Sequence, residues 1–168
     1  MEQNELLLRT AFACMSCDGD IASEEIALIK QISKEKKVFG EIDIDKKLDE
    51  LVKEINQKGK GFLKQYLICL ADESLTEEQE IKVIDVAVQT IRADNRIEYS
   101  EIKFFKVLRS NLKIVSDETL LEKIEGIDEN YLDQDIQSDY LQMYDDYFNS
   151  IDLPKFDVLK QDLKSIGS

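Results

Sequence analysis

The sequence predicts an all-α fold: a compact bundle of about seven helices built from two helix–loop–helix halves, with a helical C-terminal extension. Three observations carry this. Apolar residues recur at three- and four-residue spacing along most of the chain, and period-two alternation is confined to Ile42 and Ile44. Pro occurs once and Gly six times in 168 residues, too few turn formers for a many-stranded β fold. A short acidic pattern is also written twice. It reads Asp18-Gly19-Asp20-Ile21 then Glu24-Glu25-Ile26, and later Asp94-Asn95-Arg96-Ile97 then Ser100-Glu101-Ile102. The offset from 18 to 94 is 76 residues, and it also carries Ala11 onto Ala87, Met15 onto Ile91, Ile29 onto Phe105 and Ile32 onto Leu108.

Taken in order, Asn4 to Ser16 holds Leu7, Leu8, Ala11, Phe12 and Met15 at helical spacing, a first amphipathic helix. Gly19 follows where a left-handed C-cap residue is favoured. Ser23 is a good N-cap for a second helix, with Glu24 and Glu25 near its positive end. Ile26, Ile29 and Ile32 form its apolar stripe, and Gly40 breaks it. Leu48, Leu51, Val52 and Ile55 mark a third helix, closed at Lys58-Gly59-Lys60-Gly61; Phe62, Tyr66, Leu67 and Leu70 mark a fourth. Thr76-Glu77-Glu78-Gln79 is a capping box opening a fifth, with Ile81, Ile84, Val88 and Ile91. Asn95 tolerates the backbone that Gly19 takes in the first loop. Glu98 to Leu112 forms a sixth helix with Phe104, Phe105 and Leu108 inward, and Ser116 caps a short seventh. In the tail, Tyr140, Tyr144, Tyr147 and Ile151 share one helical stripe, which is expected to cover the protein's own core. After Pro154, the residues Phe156, Leu159, Leu163 and Ile166 predict a last helix. Residues 1–123 form the main domain in this reading, and 124–168 an acidic, Tyr-rich extension packed on it.

The formal net charge is −14, which argues against a nucleic-acid partner, since Lys and Arg supply most of the affinity for phosphate. The charge is uneven: nine acids and no Lys or Arg lie between Ile124 and Pro154. Such runs form solvated faces, or surfaces for a basic protein partner. No apolar run reaches the ~20 residues of a membrane span. The opening Met1-Glu2-Gln3-Asn4-Glu5 lacks the basic start of a secretory signal, so a cytoplasmic protein is expected.

The chain has no His, which removes the Ser-His and Cys-His nucleophile pairs and the commonest transition-metal ligand. No phosphate loop or dinucleotide fingerprint is present either. A non-enzymatic protein is expected, with no catalytic residues. Cys14-Met15-Ser16-Cys17 has CxxC spacing, but no second CxxC accompanies it. Cys14 falls on the core face of the first helix, where free Cys packs as a small hydrophobe.

The acidic loops leave two readings open. Carboxylates without His or thiolate suit Ca²⁺, Mg²⁺ or Mn²⁺ better than zinc or copper. Alternatively, an Asp at a helix C-terminal turn and a Glu in the next helix's first turn satisfy loop N–H groups and the helix dipole, with no cation. A standard EF-hand is excluded. With Gly19 at loop position 6, position 12 is Glu25, but positions 1 and 3 are Cys14 and Ser16, and the second copy has Thr90 and Arg92 there.

Together, Cys17-Asp18-Gly19-Asp20-Ile21 with Glu24-Glu25, Ala93-Asp94-Asn95-Arg96-Ile97 with Glu101, and the closing Leu112-Lys113-Ile114 resemble the TerB-like (tellurite-resistance-associated) helical domain family. The resemblance spans roughly Glu5 to Ile114. It implies a helical bundle with an acidic metal-binding surface, in a stress-response or regulatory setting. The metal residues it implies are Asp18, Asp20, Glu25, Asp94 and Glu101. Two departures stand out: Cys17 replaces a small Ala, while Asn95 and Arg96 replace Gly and an acid, setting a guanidinium beside Asp94. The expected function is therefore a non-enzymatic module binding a divalent cation. The alternative is a metal-independent interaction module whose acidic aromatic tail docks a protein.

Overall fold

A computed structural model of the chain describes residues 2–17, 23–36, 39–40, 42–93, 99–127 and 140–150. These residues form eight helices: α1 Gln3–Ser16, α2 Ser23–Lys36, α3 Ile44–Lys58, α4 Lys60–Asp72, α5 Glu77–Ala93, α6 Tyr99–Ser110, α7 Asp117–Lys123 and α8 Tyr140–Ser150. No strand occurs among the described residues, and the fold is all-α. Ile44, half of the one β-like alternation in the sequence, opens α3 instead. There Asp43 caps the helix by accepting a hydrogen bond from the Lys46 N–H at 3.3 Å. The expected helix over Phe156 to Ile166 lies outside the described residues.

The local signals act as their chemistry dictates. At the start of α5, the Thr76 hydroxyl accepts from the Gln79 N–H (3.2 Å) and the Gln79 side chain accepts from the Thr76 N–H (2.9 Å), a reciprocal capping box. The Ser116 hydroxyl accepts from the Thr119 N–H at the start of α7. Gly59, at φ +56°, turns α3 directly into α4, a left-handed backbone that costs Gly nothing.

α1 departs from the amphipathic pattern expected of it. Leu6, Leu7 and Leu8 and every residue from Thr10 to Cys17 are buried, and only Arg9 in that span reaches solvent. A helix enclosed on all sides belongs at the centre of a bundle. α1 packs chiefly on α5 and also touches α2, α3, α4 and α6. Periodicity alone did not show this, because Thr10, Cys14 and Ser16 interrupt the apolar run of α1. All three hydroxyl or thiol groups are small enough to bury.

The helix contacts follow the sequence repeat. The 76-residue offset maps α1 onto α5 and α2 onto α6. The α1–α2 contact then corresponds to α5–α6, α1–α6 corresponds to α5–α2, and α1–α5 maps onto itself; all are present. This is the pattern of two halves related by an approximate twofold axis. Ala11 and Ala87, equivalent under the offset, are both fully buried, and small residues there let the two central helices approach closely.

The equivalence reaches the helix starts. The carboxylate of Glu80, 4% exposed, accepts hydrogen bonds from the N–H groups of Ile114 (3.1 Å) and Val115 (2.9 Å) in the segment after α6. Its counterpart, Asn4, lies against Gly40 in the segment after α2, where an added Cβ would strike the Asn4 side chain. Arg109 braces the second of these segments. It donates to the carbonyls of Leu112 (2.8 Å) and Val115 (2.7 Å) and pairs with Asp117 (3.0 Å).

The tail contributes to the core. α8 packs on α6, with Tyr147 fully buried and Phe148 5% exposed. Rings continue from Tyr66 on α4 through Phe104 on α6 (6.4 Å) and Tyr147 (5.1 Å) to Phe148 (4.7 Å).

Replacing Glu80 by Ala leaves two buried N–H groups without their acceptor. Urea unfolding should register a loss of about 3 kcal/mol for this variant. Glu78→Ala, on the same turn but exposed, should stay within about 0.5 kcal/mol of wild type.

Candidate functional site

Of the five carboxylates expected to form a cation site, Asp18, Asp20 and Asp94 lie outside the described residues. Glu25 sits in the first turn of α2, its side chain outside the description. Glu101 sits in the first turn of α6 and is 5% exposed. Among the described residues, no three Cys, Asp or Glu side chains gather in a cation-holding group.

Glu101 nevertheless relates the helix ends that flank the two loops. Its carboxylate lies close enough to Cys14, in the last turn of α1, to raise the thiol's pKa through its charge. The first loop leaves from the C-terminal end of α1, and the second runs into the first turn of α6. The C-terminal end of α1 and the first turn of α6 therefore lie on one side of the α1–α6 contact.

A buried polar cluster lines this junction. The Thr10 hydroxyl donates to the Leu6 carbonyl at 2.8 Å and lies 2.7 Å from the Tyr66 hydroxyl. Because Thr10 has one proton to give, Tyr66 is the donor to it. Burial first, and then the charge of Glu101, hold the Cys14 thiol well above the usual range. The Tyr66 phenol is likewise pushed up, by burial and then by Cys14. Cys17, fully buried, donates its S–H to the Cys14 carbonyl at 2.9 Å. Thiolates, not thiols, bind metals and attack electrophiles, and the buried Cys14 is held in the thiol form, packed in the core beside Cys17.

Two neighbours of the junction escaped the sequence reading. Tyr66 was legible as a core residue but not as the partner of Thr10. Tyr147 was assigned to the tail's own stripe, yet its hydroxyl donates to the Cys17 carbonyl at 2.7 Å across 130 positions. One available signal was the repeat itself. Cys14 aligns with Thr90, and a small polar residue at the same buried place in both halves marks a position built to hold one. Thr90 is 7% exposed and donates to the Val86 carbonyl, as Thr10 donates to Leu6.

A cleft of about 80 Å³ between α1 and α3 is too small for an ordinary small-molecule site. It is spanned by the Arg9–Glu54 (3.0 Å) and Lys47–Glu5 (3.9 Å) ion pairs. No helix of the described residues is long and apolar enough to cross a membrane.

Compared with family models, curated proteins and solved structures, the chain matches none.

The perturbed thiol and phenol give a signed pH dependence. Both are held protonated in the folded state, so their contribution to stability is complete below the pKa values of the unfolded chain. It is lost as the pH rises past about 8.5 for the thiol and about 10 for the phenol. The loss should approach ~1.4 kcal/mol per pH unit per group, and Cys14→Ala should remove the thiol's share from an alkaline unfolding series.

Alkylation supplies a second check. Cys69, half-buried on α4, should react with iodoacetamide in the native protein, whereas Cys14 and Cys17 should react only on unfolding.

Proposed function

We propose that this protein is a non-enzymatic module of TerB-like character that binds a divalent cation through its two acidic loops. Asp18, Asp20 and Glu25 supply ligands from the first half, and Asp94 and Glu101 from the second. One observation carries the reading: the end of α1 and the first turn of α6 lie together, with the buried Glu101 acting on Cys14. The nearness of the α1 terminus to the first turn of α6 favours one shared site over two independent loops.

The donor chemistry fits a hard cation. The proposed ligands are carboxylates, His is absent from the chain, and the neighbouring Cys14 thiol is held protonated by burial. The ion is Ca²⁺, Mg²⁺ or Mn²⁺ on this reading, and the stress-response setting, tellurite resistance included, rests on the family resemblance alone.

The alternative, a cation-independent module docking a protein through the tail, has less support. Tyr147 and Phe148 are buried, which withdraws these two rings from such an interface, while Asp145 and Asp146 are exposed.

Calorimetric titration of the metal-stripped protein with Ca²⁺, Mg²⁺ and Mn²⁺ decides between cation binding and simple helix capping. Binding on the order of micromolar, lost in the Asp18→Asn, Asp94→Asn double variant, is the expected result, with one ion per chain for a shared site. No heat with any of the three ions would reduce the acidic repeat to capping architecture.

A further inference from the structure

We draw no further inference here: the strongest candidate, the surface patch formed by the exposed apolar side chains of Ile114 on the α6–α7 connection and Leu121 on α7, carries nothing because nothing in the structure shows what covers it.

Discussion

Enclosing α1 on every side imposes a condition that the rest of the molecule meets. A helix surrounded by five others has no water to satisfy its side-chain hydroxyls, its thiols or its terminal carbonyls. Each must find a partner inside or carry a penalty of about 1–3 kcal/mol. Thr10 and Ser16 turn back onto carbonyls of their own helix, at Leu6 and Ala13. Cys17 does the same onto Cys14. Tyr66 arrives from α4 to meet Thr10, and Tyr147 from α8 to meet the exposed end at Cys17. The polar residues that made α1 look amphipathic are therefore the points at which other helices are specified, in position as well as in contact.

Twofold repetition explains how a chain of this length reaches such a centre. Two equivalent helices packed on each other, each followed by a partner that crosses to the other half, bury both without long connections. The repeat was legible because the offset preserves apolar size as well as the acidic strings. What it preserves less well is where the halves diverge in role. Asn4 and Glu80 occupy one place, yet Asn4 lies beside a glycine at φ +63° while Glu80 binds two backbone N–H groups. A neutral amide and a buried carboxylate are interchangeable in helical spacing and different in energy. Sequence periodicity carries no mark of that difference.

Legibility at the candidate site divides along a similar line. Helix caps depend on residues within four positions of one another, so Thr76-Gln79 and Ser116-Thr119 could be read from the chain. Glu101 was legible as an acid in a first turn because the repeat supplied its register. That it would be nearly buried beside a thiol was not, since the Cys14–Glu101 approach joins residues 87 positions apart through a helix crossing. The Tyr147–Cys17 hydrogen bond spans still more of the chain. Its tyrosine was visible as part of a stripe, but a stripe reports which residues face inward and not which backbone group they meet.

The charge of α8 makes sense once Tyr147 and Phe148 are seen to be inside. α8 has no basic residue, and the chain between Ile124 and Pro154 has none, so this segment gains little from ion pairing within itself. It is held instead by buried rings and by two lysines supplied from α4. Lys60 meets the carbonyl of Phe148 and Lys64 faces its ring, arrangements that attract through the helix dipole and the ring quadrupole without neutralising a carboxylate. The acids of α8 are left unscreened and facing outward.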